Sequence, residues 1–473
     1  MKINKIILPI VVCLVLGACA QHLPLPPRQT SSAASLDSLL ASDELSAARS
    51  LALSDIDWGY LLIDAKSGEV LMSRAADKGF PPASTAKVPT MVAALGILGP
   101  TYRFTTQLLA KGSLKAGVLS GDLVLAGDGD PLPSVGDLRA LAIRLRDIGV
   151  TRLDGRFIYA SSLPVFAEIE PEQPATEPYN QGLGGLNIEF NRVTLTRSTG
   201  DTGTVPYTTP SEAIDLIPDF PPSTTGRLES SVRDPALLAA QMLQRFALAE
   251  GISLPDPVSG TPPDGAVSLA QIRSQPLIEI VRAGLEYSNN MVAEVIGLSA
   301  SRAQGVTDQS LARSADTLGV WLEHEVPGLK HFATTLANHS GLSTVSRVTP
   351  RQMTQILQYA LNQRFDGWRF DSLLSPGGRR DTFRGRFKDP ATAYRIWAKS
   401  GTMRYIKGLT GYLDAESGRR LIFALFMYDP ELRARLENDP ERFSLQSRKL
   451  STDWRNRTDA FEEALIKHWI KVF

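Results

Sequence analysis

Ser84 and Lys87 stand three positions apart at the mouth of an apolar run over 88–98. On a helix that spacing puts both side chains on one face, with Cβ atoms about 5–6 Å apart. A serine hydroxyl is a weak nucleophile until a neighbouring base takes its proton. A neutral lysine amine at that distance is such a base. Alone, the spacing equally suits an N-cap serine followed by a surface lysine one turn on. Two later stretches change the reading. Ser288-Asn289-Asn290 lies in a second helical stretch, and Lys399-Ser400-Gly401-Thr402 lies on a β-like stretch. The three in this order form a far more specific set than any one of them.

Other chemistries find less support. The five histidines, at 22, 324, 331, 339 and 468, contain no H-x-x-x-H, so zinc hydrolysis is not indicated and no metal or cofactor is expected. His339 reads as structural. The segment 121–131 is a strand running into a glycine-rich turn, but it lacks the G-K-[ST] and the helix start of a phosphate loop. Asp128 and Asp130 lack EF-hand spacing. Arg404, just past the third stretch, is open to two readings, a carboxylate ligand or a surface arginine.

These residues need elements to hold them. Segments 59–64 and 69–73 read as a hairpin around the turn Ala65-Lys66-Ser67-Gly68. Pro81-Pro82 breaks regular structure and delivers the chain to Ser84. Pro89 falls in the first turns of the helix and leaves the Ser84–Lys87 face intact. About 200 residues separate Lys87 from Ser288, too many for a loop, which predicts an inserted domain. The expected division is a catalytic domain of 51–98 plus 270–473 and an insert of 99–269, with the chain returning near Leu269. Within the insert, 104–109, 118–125 and 156–160 are strand-like, 206–225 reads as an excursion or linker, and 234–249 as an amphipathic helix. Beyond it, 276–300, 311–322 and 350–361 read as helices, and 395–398, 408–414 and 419–428 as strands. A terminal amphipathic helix is predicted over 458–472. Helix and strand clusters without regular βαβ alternation predict an α+β fold, helices against an antiparallel sheet.

The chain carries 50 basic and 50 acidic residues among its 473, and no long basic block, which argues against nucleic acid as the main partner. Lys2 and Lys5 precede an apolar run over 6–16, too short for a typical membrane span and suited to an export signal. It ends in Leu16-Gly17-Ala18-Cys19, which resembles a bacterial lipoprotein signal. The resemblance implies removal of 1–18 and lipid on Cys19. An ordinary secretory signal cut near Ala18 or Ala20 is the alternative. The Pro, Ser, Ala and Leu content of 21–50 reads as a tether over 19–50, ending in a short helix near 36–53. Cys13 would leave with the signal, so Cys19 would be the only mature cysteine and no intramolecular disulfide could form. Ala20, not Asp, follows the cysteine, which points to the periplasm and the inner leaflet of the outer membrane.

Taken together, the three motifs resemble the class C low-molecular-mass penicillin-binding proteins, serine D-alanyl-D-alanine carboxypeptidases and endopeptidases. The resemblance covers 51–98 and 270–473. It extends to Gly184-Gly185-Leu186-Asn187 and Phe190-Asn191-Arg192 in the insert, to Met291-Val292-Ala293-Glu294, and to Asn338-His339-Ser340-Gly341-Leu342-Ser343 with Arg347-Val348-Thr349-Pro350. It implies a β-lactamase/transpeptidase-like domain, helices on a five-stranded antiparallel sheet. It makes Ser84 the nucleophile, Lys87 its base, and Ser288 a proton relay to the leaving amine. Asn290 would bind a substrate amide and help hold Lys87. Lys399, Ser400 and Thr402 would bind the terminal carboxylate, Gly401 would let the strand approach the ligand, and the N–H groups of Ser84 and Thr402 would form an oxyanion hole. The implied partners are peptidoglycan stem peptides and cross-links, with β-lactams as covalent inhibitors. Two points stay open. The segment can be framed as Ser288-x-Asn290, as in peptidases, or as Tyr287-x-Asn289, as in class C β-lactamases. The alternative functions are a serine β-lactamase on the same fold and a non-catalytic lipoprotein scaffold.

Overall fold

The computed structural model describes residues 51, 53 and 56–473, except 201–202, 220–225, 308–309, 334, 380–382 and 384. The expected signal, Cys19, the tether and nearly all of the short helix lie outside the described residues.

Alternation of large apolar residues builds the central sheet. Along Asp57–Asp64, Trp58, Tyr60 and Leu62 point to one face while Leu61 and Ile63 point to the other, as a period of two requires. Both faces are therefore buried. The sheet is antiparallel and six-stranded, in the order Ser375–Pro376, Ile396–Met403, Ile406–Asp414, Arg420–Tyr428, Asp57–Asp64, Val70–Arg74. The implied five strands are present; the sixth is a two-residue edge pairing Ser375 with Ala398, too short to leave a pattern in sequence.

One face packs against the helices Lys87–Leu98, Leu277–Glu286, Asn290–Ala303, Leu311–Glu325 and Pro350–Asn362. The other is covered by the C-terminal helix Leu445–Val472, whose Phe461, Leu465 and Trp469 lie against Trp58, Tyr60 and Phe423. That helix starts thirteen residues before the predicted position 458 (458 − 445). Its first half is mostly polar and weakly patterned, and Trp454 is its buried anchor. Arg386 and Lys407 fasten the helix from beneath through Asp459 and the fully buried Glu462.

The segment predicted as one helix over 276–300 is two. Leu277–Glu286 and Asn290–Ala303 are separated by a break at which Ser288 has φ 54°. A non-glycine residue in the left-handed region cannot continue a helix. Asn289 caps the second helix by accepting from the Val292 N–H at 3.2 Å.

The insert carries its own sheet, in the order Pro257–Ser259, Phe157–Ser161, Val118–Gly127, Thr105–Lys115, Val267–Arg273, with Arg152–Asp154 alongside. Helices Val135–Asp147 and Pro235–Ala249 cover it through a separate apolar core. The expected return near Leu269 falls inside the last strand. The stretch read as a linker over 206–225 is in part ordered: Gly203–Thr209 joins Arg192–Gly200 and Gly226–Ser231 in a three-stranded sheet, followed by a short 3-10 turn, Ser211–Leu216. The insert's root is zipped. Phe104 N–H donates to Ser274 Oγ and Ser274 N–H to the Phe104 carbonyl, both at 2.9 Å. Phe104, Leu163, Ile169 and Leu183 of the insert join the catalytic core.

Trp469 is the largest of several fully buried contacts between the C-terminal helix and the sheet. Trp469→Ala is expected to cost about 3–5 kcal/mol, read as a lowered midpoint in urea unfolding followed by near-UV circular dichroism; an unmoved midpoint would show that the helix is anchored elsewhere.

Candidate active site

The turn before the first helix sets Ser84. Ala83–Ala86 is a 3-10 turn leading directly into Lys87–Leu98. In a 3-10 turn residues three apart eclipse, so Lys87 folds back over Ser84. Ala83, immediately before Ser84, has φ 45°, strain of the kind that surrounding structure must hold in place.

Lys87 is fully buried, and its Nζ has three partners. Ser84 Oγ lies at 2.8 Å, Asn290 Oδ1 at 2.7 Å and the Ser340 carbonyl at 3.0 Å. The last two can only accept. A neutral amine has two N–H groups and one lone pair; if both N–H groups go to the carbonyl oxygens, the lone pair faces the Ser84 hydroxyl. Burial pushes the Lys87 pKa well below its usual value, the cation Lys399 pushes it further, and Glu294 opposes them.

Asn290 is held from its other end: its Nδ2 donates to the Tyr179 carbonyl at 3.0 Å, which turns the amide oxygen to Lys87. Tyr179 belongs to the insert. Its loop is tied by buried Asn180, which accepts from Ile169 and Glu170 N–H and donates to the Glu170 and Gln173 carbonyls. The insert thus reaches the reacting groups directly. Gly184, Asn187 and Asn191 form a buried network within it, and Asn187 Nδ2 donates to the Asp130 carbonyl. Asp128 and Asp130 accept from Thr105 and Leu132 N–H; burial raises both carboxyls, Asp130 to about 6. Among the described residues no cluster of three or more His, Cys, Asp or Glu could hold a metal.

The helix break brings Ser288 to the second lysine. Lys399 Nζ donates to Ser288 Oγ at 2.8 Å and to the Ser400 carbonyl at 2.6 Å. Lys399 is buried, and burial lowers its pKa to about 7. Tyr287 is 74% exposed and Asn289 is occupied as a cap, so Ser288 and Asn290 are the members of this segment that meet the two lysines. Lys399-Ser400-Gly401-Thr402 runs along Ile396–Met403 beside the Ser84 turn.

Gly401 is constrained by the chain itself. A Cβ there would lie 2.7 Å from the Pro82 carbonyl oxygen, 2.8 Å from Ser84 N and 3.0 Å from Thr85 N. The strand therefore presses its backbone onto the Ser84 turn. On the other side Gly341, at φ 77°, presses on Ala83.

Ser84, Ser288, Asn290 and Thr402 open into a cavity of about 730 Å3. Its far wall is basic. Arg404, Arg433, Arg442 and Arg455 face it, against Glu172 and Glu437. Arg433 pairs with Glu437 at 2.7 Å, whereas Arg404 donates to the Arg442 carbonyl and to Ser447. Sequence reasoning singled out Arg404 but missed Tyr179, the Ser340 carbonyl and the wall over 433–455, which carries no motif. His339 donates nothing to the cavity. It is fully buried beneath Gly297, its Nε2 pairs with Ser314 Oγ at 2.8 Å, and burial lowers its pKa to about 3.

Comparison with known proteins gives concordant matches. The model of the D-Ala-D-Ala carboxypeptidase 3 (S13) family matches residues 33–218 and 220–440. A D-alanyl-D-alanine carboxypeptidase of Actinomadura sp. is 26% identical over 416 residues, 76% of each chain. The D-alanyl-D-alanine carboxypeptidase DacB of Haemophilus influenzae is 24% identical over 387 residues, 73% of this chain and 80% of that protein. The crystal structure of penicillin binding protein 4 from H. influenzae superposes with a TM-score of 0.73 at 20% identity, covering 88% of this chain and 97% of that one. The fold is thus shared with that protein, an antiparallel sheet packed between helices, with a large additional domain.

Adding one methyl at Gly401 must move the strand or the Ser84 turn. Gly401→Ala is expected to slow reaction of Ser84 with a penicillin on the order of 100-fold while leaving the circular dichroism spectrum unchanged; an unaltered rate of adduct formation by mass spectrometry would show that the close approach is dispensable.

Proposed function

Because the chain belongs to the D-Ala-D-Ala carboxypeptidase 3 (S13) family, we propose that Ser84 attacks the carbonyl between two D-alanines of a peptidoglycan stem peptide or cross-link. The chain is a serine-type DD-carboxypeptidase/endopeptidase, a hydrolase of the class C low-molecular-mass penicillin-binding proteins. The observation that carries the assignment of roles is the Lys87 amine, 2.8 Å from Ser84 Oγ with its two other contacts to carbonyl oxygens.

In this reading Lys87 takes the Ser84 proton as Oγ forms its bond to the substrate carbonyl carbon. The N–H groups of Ser84 and Thr402 receive the oxyanion, usually the largest electrostatic contribution in acyl transfer. The C–N bond then breaks, and the leaving D-alanine nitrogen takes a proton through the Ser288 hydroxyl, which Lys399 holds. Water hydrolyses the resulting ester by the reverse sequence. A β-lactam follows the first half and leaves Ser84 acylated. Lys399, Ser400 and Thr402 bind the substrate's terminal carboxylate, and that carboxylate draws Lys399, poised near 7, to its charged form. Asn290 binds a substrate amide. The arginine wall suits an acidic stem peptide, with Arg404 as a carboxylate contact.

The catalytic domain in this reading comprises 51–98 plus 270–473, with 99–269 as the accessory insert. Residues 16–19 support cleavage before Cys19 and a lipid anchor there, which would hold the enzyme in the periplasm on the inner leaflet of the outer membrane, within reach of peptidoglycan.

The test is intact mass of residues 20–473 mixed with penicillin, with Ser84→Ala as control. A persistent adduct lost in the variant is expected, together with D-alanine release from a D-Ala-D-Ala peptide. Rapid loss of the adduct with destruction of the penicillin would instead indicate a β-lactamase, and no adduct on folded protein would contradict the assignment.

A further inference from the structure

Glu294 is fully buried one helical turn beyond Asn290, on the same face of Asn290–Ala303. A buried carboxylate is costly unless charges and hydrogen bonds compensate it. Here both oxygens are used: Oε2 accepts from the His339 N–H at 3.0 Å and Oε1 from the Ser340 N–H at 2.8 Å. The neighbouring groups are pinned as well. The His339 carbonyl accepts from Thr90 Oγ1 at 3.1 Å, and Gly341 N–H donates to Asn338 Oδ1 at 2.9 Å. The next carbonyl along, that of Ser340, is the one that accepts from Lys87 Nζ.

We propose that Glu294 is a positioning residue for acylation: by gripping the His339 and Ser340 N–H groups it holds the Ser340 carbonyl on Lys87, and so fixes the direction of the lysine lone pair. The proposal rests on Ser84 and Lys87 acting as nucleophile and base. Without the grip, one of the two acceptors that orient the amine is free to turn away, and Lys87 can point an N–H, rather than its lone pair, at Ser84.

Burial raises the Glu294 pKa, while the hydrogen bonds from Ser340 and His339 and the nearby Lys87 favour its ionised form. Ionised, it favours protonated Lys87, opposing burial and Lys399. The charged and titratable groups around it are Lys87 on the nucleophile helix, Lys399 on the adjacent strand acting through Lys87, and His339 on the gripped loop, which burial keeps neutral above about 3. Removing the charge therefore lowers the pKa of Lys87, and the base form appears at lower pH. A purely structural role would change the amount of folded enzyme without moving that pH dependence.

The experiment measures the rate constant of Ser84 acylation by nitrocefin as a function of pH in the parent, Glu294→Gln and Glu294→Asp, each checked by near-UV circular dichroism. Glu294→Gln is expected to lower the plateau by at least about tenfold and to move the rising limb to lower pH. Glu294→Asp keeps the charge but withdraws the oxygens, so its plateau falls with the limb unmoved. It serves also if the glutamine variant fails to fold. A folded variant of either kind that keeps the parent plateau overturns the proposal, as does a glutamine variant whose plateau falls with its limb unmoved. If the parent itself is not acylated at Ser84, the assignment of nucleophile and base fails first, and this inference falls with it.

Discussion

An amine buried in the protein interior, its pKa pushed well below the usual lysine value and its nitrogen in contact with three oxygens, is the constraint on which the site depends. Lys87 has two carbonyl oxygens and one hydroxyl within hydrogen-bond reach and no carboxylate among those contacts. An ion pair there would hold the lysine as ammonium and remove the base. Burial and the second cation, Lys399, act in the opposite direction. Glu294 is near enough to matter electrostatically, but its oxygens are occupied by backbone N–H groups instead of by the lysine.

The fold can be understood as the means of bringing three partners, two carbonyl acceptors and the Ser84 hydroxyl, to one nitrogen. Ser84 comes from a strained 3-10 turn, Asn290 from the start of a new helix after a strained break, and the Ser340 carbonyl from a loop wedged against Ala83. Gly401 and Gly341 allow strand and loop to close on the turn from opposite sides. The insert takes part by orienting Asn290 through the Tyr179 carbonyl, and the C-terminal helix supports the sheet from behind while its first half lines the cavity. Strain at Ala83 and Ser288 is held by this packing, as is common where chemistry needs an unusual backbone.

The chemistry was more legible in the sequence than the architecture around it. Ser84 with Lys87, Ser288 with Asn290, and Lys399 through Thr402 are local spacings of reactive side chains, and the structure gathers all three in one cleft. The main strands and most helices followed from apolar periodicity. What escaped had no local signal. The Ser340 and Tyr179 carbonyls are backbone groups, which any residue could supply. The break at Ser288 lies inside a stretch whose composition suits an unbroken helix. Gly401 was read as making room for a ligand; the structure adds a second limit, the backbone of Pro82 and Ser84, which no spacing announces. The basic wall and the early start of the terminal helix lie in a polar segment, and part of that wall falls beyond residue 440, where the family match ends.

The protonation state of Lys87 can be observed directly. Protein labelled with 13Cε/15Nζ-lysine would be titrated by NMR, with the Lys87 signal assigned from its loss in Lys87→Arg. The expected result is a side chain that becomes a neutral amine well below the usual 10.5. A Lys87 signal that remains ammonium up to that ordinary value would contradict it.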